Sequence, residues 1–193
     1  AANPSTDTPI NLGKKVLVVG GGNTAMDSCR TAKRLGADVT LVYRRSEAEM
    51  PARIEEVKHA KEEGIKFLTL HNPKEYLTDE NGAVKAAVLD VMQLGEPDQS
   101  GRRRPETTGE TITIECDQVI VAVGVSPNPL VPKSIEGLTL GRKNTIAVND
   151  QMQSSRKEIY AGGDIVRGGA TVILAMGDGR RAAMNMSKQL TEA

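Results

Sequence analysis

Tryptophan is missing from this 193-residue chain, and the other aromatics amount to one Phe and three Tyr. So sparse a set excludes the aromatic platforms on which single-stranded nucleic acid is stacked. It leaves the core to Val, Ile, Leu, Ala and Met. Cysteine is nearly as scarce: Cys29 and Cys116 stand apart, with no Cys-x-x-Cys. That excludes a redox dithiol and any iron–sulfur or zinc site built by this sequence itself, and it fits a cytoplasmic setting. Charge of one sign is lacking too. Lys plus Arg number 25 and Asp plus Glu number 25, so no net field points to nucleic acid or an anionic membrane. No apolar run reaches the ~18 residues of a membrane helix, and no signal peptide is legible. The expectation is a chain with no nucleic-acid, membrane or metal partner.

What is present reads first as alternating strands and helices. Val16–Val19 is a short, wholly apolar strand of the kind buried at the centre of a parallel sheet. A helix follows Gly22, with Ala25, Cys29 and Ala32 on one face and Gly36 as its C-terminal stop. Val39–Tyr43 is a second strand. Ser46 and Glu49 have capping-box spacing, although Pro51 offers another first turn. Ile54, Val57 and Ala60 give the next helix its apolar stripe; Gly64 ends it, and Ile65–Leu70 is the third strand. The order β-α-β-α-β predicts a doubly wound sheet with right-handed crossovers. Val84–Leu94 then reads as a long strand, Gly95–Gly109 as an exposed hairpin loop, Thr111–Cys116 as an antiparallel return and Gln118–Val123 as a buried strand. A proline-rich loop, Ser126–Pro132, marks a domain exit. Beyond it come short strands at Thr145–Val148 and Glu158–Ala161, and a long helix over Val172–Leu190. Gly177 and Gly179 inside that helix cost it about 1 kcal/mol each relative to Ala, which implies close approach by a neighbour.

Four segments carry chemistry. Gly20-x-Gly22-x-x-Ala25 follows a strand and opens a helix. Gly20 permits the tight turn, Gly22 lets a pyrophosphate approach the backbone, and Ala25 keeps helix and strand close. Gly21, Asn23 and Thr24 complete this turn, whose free N–H groups and partial positive charge face the phosphates. The second segment is Arg44-Arg45, at the end of the second strand. NAD-specific sites place an acid there for the ribose 2′-hydroxyl, whereas two forked cations suit a 2′-phosphate. The pair predicts NADPH, against the plainer reading of a solvated basic loop. The third is Thr111–Pro129, with Ala122, Gly124, Pro127 and Pro129 at a strand-to-turn junction. The fourth is Ile159–Ala183, which holds Gly163-Asp164 after a strand and Thr171-Val172-Ile173 at a helix start.

Other residues carry no role. His59 lies on a charged helix face and His71 precedes Asn-Pro as a turn residue. Cys29 and Cys116 suit packing better than nucleophilic attack. Asp27 either caps or faces the cofactor cleft. Arg102–Arg104 is a solvated loop or, less readily, a docking patch. Met176, Met184 and Met186 suggest a core or buried interface, and that face would drive self-association if left uncovered.

In combination these motifs resemble flavin-dependent pyridine-nucleotide oxidoreductases. Tyr43–Arg53, YRRSEAEMPAR, is similar to the corresponding stretch of the small (β) subunit of NADPH-dependent glutamate synthase. Related flavoproteins include the NADPH-binding subunits of sulfide dehydrogenase and of electron-bifurcating ferredoxin:NADP oxidoreductase. The resemblance runs from about Asn11 through nearly the whole chain. It implies a Rossmann-like FAD/NAD(P)-binding α/β fold, a parallel sheet with helices plus a β-meander. It also implies a Gly124 turn returning to an FAD domain, and Asp164 on the ribityl or pyrophosphate region of FAD, near Gly163, with Thr171, Val172 and Ile173 aimed at the flavin. In such proteins hydride passes from the nicotinamide C4 to flavin N5, so no catalytic acid, base or nucleophile is needed. Electrons then move through iron–sulfur clusters to a partner, here a large glutamate synthase-type subunit. Family members begin with a cysteine-rich segment and a first FAD-binding Gly-x-Gly-x-x-Gly, and neither is present. The expected organisation is therefore a linker or boundary over 1–10, an NADPH-binding domain over 11–125, and the return segment of an FAD domain over 126–193. The cofactors are NADPH and, in the intact protein, FAD. The competing expectation is an isolated nucleotide-binding module with no activity by itself.

Overall fold

The computed structural model describes residues 11–99 and 101–192, so the linker expected over 1–10 lies outside the described residues. The chain forms two units, divided between Gly124 and Val125. In the first, four parallel strands lie in the order β3-β2-β1-β7: β1 Lys15–Val19, β2 Asp38–Tyr43, β3 Lys66–Thr69 and β7 Gln118–Val121. Helices α1 (Asn23–Arg34) and α2 (Ile54–Glu62) connect the first three. The return from β3 to β7 runs instead through an antiparallel sheet of β4 (His71–Thr78), β5 (Val84–Pro97) and β6 (Arg103–Glu115).

Both faces of the parallel sheet are covered, which is why its strands can be apolar throughout. Val16 and Val18 of β1, with Val39 and Leu41 of β2, pack among Ala25, Met26, Cys29 and Ala32 of α1. The small residues on that helix face bring it close to the strands. Leu17 and Val42 point the other way and pack with Ala87 and Leu89 of the antiparallel sheet and with Cys116, just after β6. Each fully buried Leu or Val contributes about 1.5–3 kcal/mol of hydrophobic stabilisation.

The antiparallel sheet departs from the expected pattern. Gly95–Gly109, expected as a hairpin loop, is mostly strand. β5 and β6 continue through it and turn near Asp98 and Gly101, where the Gly101 N–H donates to the Asp98 carbonyl at 2.7 Å. Its glycines and prolines sit where strand geometry tolerates them. Gly109, at φ 89, occupies a register shift opposite Asp90–Met92, and Pro105 lies on the edge strand β6. His71 is likewise no turn residue; it opens edge strand β4, and Pro73 borders a register shift. Leu70, at φ 57, makes the kink between β3 and β4. The capping box is present, with Glu49 Oε2 accepting from Ser46 N and Oγ, but it closes a short 3-10 turn over Glu47–Glu49 and not α2. Ile54, expected in the α2 stripe, is exposed.

The second unit holds α3 (Leu130–Ser134), α4 (Asp164–Arg167) and α5 (Val172–Thr191). The expected loop over Ser126–Pro132 thus ends in a helical turn. The two short strands expected at 145–148 and 158–161 reduce to isolated bridges, Leu140 with Ile146, Val148 with Ser154 and Gln153 with Tyr160. Ile146, Met152 and Ala182 are buried here, while α5 exposes Val172, Ile173, Met176, Met184 and Leu190.

Candidate functional site

The glycine turn after β1 lies at the carboxyl edge of the parallel sheet. There the strand order switches from β2 on one side of β1 to β7 on the other, the position where doubly wound sheets bind ligands. Gly20 has φ 143, and a Cβ on it would lie 2.2 Å from the Ala122 carbonyl oxygen. Gly21 is covered by the Tyr43 ring, 2.6 Å from where its Cβ would be. Gly22 differs from both: it caps α1 with ordinary extended dihedrals and has nothing within 4 Å of its Cβ position. That open space, at the unsatisfied N–H groups of a twelve-residue helix, fits a pyrophosphate cradle. Asn23 and Thr24 are exposed at the helix start, and Ala25 is buried under it. The loop after β2 is tied to this turn: Ala52 N–H donates to the Gly21 carbonyl at 3.0 Å, and Asn23 Oδ1 accepts from Arg53 N at 2.9 Å.

The two cations expected to act together are separated by the fold. Arg44 is exposed and, among the described residues, has no hydrogen-bond or ion-pair partner. Arg45 is buried, at 7% exposure, and its guanidinium is held by Glu49 and by the Arg103 carbonyl. Position and charge at the end of a strand are legible in a sequence; which of two neighbours turns inward is not. The spacing of Arg45 and Glu49, four apart, was the available signal.

In the second unit, Gly163 (φ 73) and Asp164 form the turn into α4, and Asp164 Oδ1 accepts from Ala170 N at 3.2 Å. Asp164, Ile165 and Gly169 line a cleft of about 200 Å³ together with Val125–Asn128. The fold thus brings the Ser126–Pro127 segment and the Gly-Asp turn to one place. Gly124, at φ 94, precedes it. Thr171 caps α5 through its side chain, which accepts from Leu174 N at 3.4 Å, and Val172 and Ile173 are 75% and 80% exposed.

Asp178 was not foreseen from the sequence. It is 1% exposed; its carboxylate accepts from Arg167 Nε and Nη2, each at 2.6 Å, and from Gly163 N at 3.1 Å. The Arg167 hydrogen bonds, helped by the Gly163 N–H, hold its carboxyl down at about 2 against the opposing cost of burial. Close approach also falls elsewhere than expected. Gly177 and Gly179 have nothing within 4 Å of their Cβ positions, whereas a Cβ on Gly162 would meet Asp178 Cβ at 2.7 Å.

A matching family model, described as pyridine nucleotide-disulphide oxidoreductase, spans residues 3–179. The chain belongs to the pyridine nucleotide-disulphide oxidoreductase family. Relatives include the NADPH-Fe(3+) oxidoreductase subunit beta of Geobacter sulfurreducens, 40% identical over 95% of this chain and 31% of that protein. The NADP(+)-dependent formate dehydrogenase subunit beta of Moorella thermoacetica is 43% identical over 93% of this chain and 26% of that protein. The glutamate synthase [NADPH] small chain of Escherichia coli K12 is 42% identical over 89% of this chain and 38% of that protein. The chain thus spans between about a quarter and two fifths of these relatives' lengths. Among solved structures, the thioredoxin reductase of T. acidophilum has the same fold, with TM-score 0.76 and 24% identity over 92% of this chain and 53% of that one. FprA of Mycobacterium tuberculosis in complex with NADPH gives TM-score 0.71 and 20% identity over 94% and 53%.

The family name includes disulphide chemistry, but the two cysteines here lie in different core clusters, on opposite faces of the parallel sheet. Burial pushes the Cys29 thiol up to about 12, and burial also raises Cys116. Neither thiol should react in the folded chain: iodoacetamide at mildly alkaline pH is expected to leave both unlabelled until denaturant is added. Rapid native labelling, read by mass, would contradict this. Among the described residues no cluster of His, Cys, Asp or Glu could hold a metal ion, and no helix is long and apolar enough to cross a membrane.

Proposed function

We propose that this chain is the NADPH-receiving portion of a flavin-dependent oxidoreductase. The observation that carries the proposal is the open cradle at Gly22, at the head of α1, combined with an Arg44 that has no partner among the described residues at the end of β2. Gly20–Ala25 would hold the pyrophosphate, and the Arg44-Arg45 segment would select the 2′-phosphate. NADPH, when bound, supplies a hydride. The chain's own residues bind and orient the nucleotide and need perform no proton transfer. The names of three relatives specify NADPH or NADP(+), which supports this nucleotide.

In the second unit, Gly163 and Asp164, with Thr171, Val172 and Ile173 at the head of α5, fit the return segment of an FAD domain. The exposed apolar residues at that helix head suit a surface made to be covered. In the intact protein, electrons would pass from flavin through iron–sulfur centres to a partner subunit, of the large glutamate synthase type or an analogue. By itself the chain would act as a nucleotide-binding module, its Gly-x-Gly-x-x-Ala turn serving NADPH. The uncovered face of α5 would favour self-association.

Calorimetric titration tests the nucleotide assignment. NADPH is expected to bind more tightly than NADH, and equal affinities would overturn the reading. Replacing the exposed Arg44 by Ala should weaken NADPH by about 2–3 kcal/mol, the scale of charge-assisted hydrogen bonds, and leave NADH nearly unchanged. A flavin spectrum in the purified chain would overturn the binding-module behaviour.

A further inference from the structure

Arg45 is a cation that the fold has taken out of water. Its side chain is 9% exposed. Nε and Nη2 donate to the Arg103 carbonyl at 3.1 and 2.6 Å, and Nη2 also donates to Glu49 Oε1 at 2.9 Å. Its own carbonyl accepts from Leu70 N at 3.1 Å, at the kink between the two sheets. Glu49 is fixed in turn. Its second carboxylate oxygen accepts from Ser46 N and Oγ, and its carbonyl accepts from the Tyr43 hydroxyl at 2.9 Å. The Tyr43 ring lies on Gly21. One connected set of contacts therefore runs from the glycine turn through Tyr43 and Glu49 to Arg45, and on to the β5–β6 hairpin. Arg44 sits between two anchored neighbours and itself has no partner among the described residues.

We infer that Arg45 is a positioning residue for nucleotide selection. Of the two, Arg44 meets the 2′-phosphate, and Arg45, locked to Glu49 and Arg103, holds the backbone from which Arg44 projects. This rests on the NADPH reading above. For Arg45 to reach a phosphate it would have to abandon a charge-assisted pair and leave a largely buried carboxylate and a carbonyl without their donor, which is unfavourable. Arg44 has no such bond to break. The sign of Glu49 makes the two cases opposite. An acid beside the 2′-phosphate opposes NADPH if it acts through space, and supports NADPH if it acts by holding Arg45.

The test is the ratio of NADH to NADPH dissociation constants, measured by calorimetry on the whole chain. NADH binding serves as the internal check that each variant is folded. In Glu49→Ala the ratio is expected to fall by roughly threefold to tenfold, the scale of coupling between contacting residues. Glu49→Gln, which keeps an acceptor for Arg45 but turns an NH2 toward Ser46 N, is expected to restore part of it. Arg45→Lys keeps the charge but not the fork that spans Glu49 and Arg103, so it is expected to lower the ratio as Glu49→Ala does. Arg44→Ala should lower the ratio further than either change. A ratio that is unchanged or higher in Glu49→Ala, or one preserved in Arg45→Lys, overturns the inference while leaving the NADPH reading intact. A parent chain that does not distinguish NADPH from NADH overturns the NADPH reading itself.

Discussion

Alanine at Gly20 is expected to unfold much of the first unit, while alanine two residues on, at Gly22, is expected to cost only the ligand. The two glycines belong to one motif but stand in different surroundings. Gly20 has φ 143, outside the range that L side chains adopt readily, and its Cβ would overlap the Ala122 carbonyl oxygen at 2.2 Å and the carbonyl carbon at 2.8 Å. Both obstacles are backbone, and Ala122 N is itself bonded to the Val19 carbonyl at 2.7 Å, so neither can move without loosening β1 from the chain that leaves β7. Strained dihedrals cost about 1–3 kcal/mol and overpacking a similar amount, so the sum is about 2–6 kcal/mol. That is a large share of the stability of a typical native state, about 5–15 kcal/mol. Gly22 has φ −91 and ψ 177, which any residue adopts, and open space at its Cβ. Losing glycine at this helix cap costs no more than about 1 kcal/mol. A methyl group there would occupy the space proposed for the pyrophosphate, weakening NADPH by roughly tenfold or more, about 1.4 kcal/mol. Denaturant unfolding followed by circular dichroism, beside calorimetry with NADPH, separates the two effects. A Gly20→Ala chain as stable as its parent would contradict the first expectation. A Gly22→Ala chain with unchanged NADPH affinity would contradict the second.

That contrast bears on what a sequence can show. The parallel sheet was legible because its signals are local: apolar runs at Val16–Val19 and Val39–Tyr43, a glycine turn between strand and helix, and glycines at positive φ after α1 and α2, Gly36 and Gly64. The antiparallel sheet was only partly legible. Gly95, Pro97, Pro105 and Gly109 punctuate a sequence as a loop does, yet a two-stranded extension with bulges and an edge strand accepts all four. Strand β4 was hidden by Asn72-Pro73 for the same reason.

The candidate site divides along the same line. Turn glycines and strand-end cations occupy fixed sequence offsets, so Gly20–Ala25 and Arg44-Arg45 could be picked out. Burial of a charge depends on partners distant in sequence. Arg45 turns inward because the Arg103 carbonyl, 58 residues away, accepts from it there. Asp178 was passed over because its partner Arg167 lies in another helix, eleven residues back. The local hint was an acid between two glycines inside a helix.

Asp178 should therefore be the most sensitive single position in the second unit, whose buried apolar residues are few. Its carboxylate joins the Gly163 turn to α5 and neutralises Arg167, so Asp178→Ala leaves both a guanidinium and a backbone N–H without their acceptor. Asp178 is buried while the Arg167 side chain is 35% exposed, so the damage comes chiefly from donors left without their acceptor. A fall of roughly 10 °C in the unfolding midpoint of a unit this small is the expected scale. Hydrogen exchange gives a local readout: the Gly163 amide, now bonded to Asp178 Oδ2, should lose its protection. The pH dependence follows from the sign of the shift. The folded carboxyl titrates at about 2, below its unfolded value, because Arg167 and the Gly163 N–H favour the charged form. Its contribution to stability is complete above the unfolded carboxylate range, about pH 4, and is lost as pH falls from there toward about 2. Asp178→Asn should remove that part of the acid sensitivity, because the amide does not titrate. It should also be less stable than the parent at neutral pH, where its NH2 group would face the Arg167 donors. Replacing both partners, as in Asp178→Leu with Arg167→Met, removes the stranded charge but still leaves the Gly163 N–H without an acceptor. The double variant should consequently be more stable than Asp178→Ala and less stable than the parent. A double variant no better than Asp178→Ala would mean that the Gly163 N–H, and not the ion pair, dominates at this position.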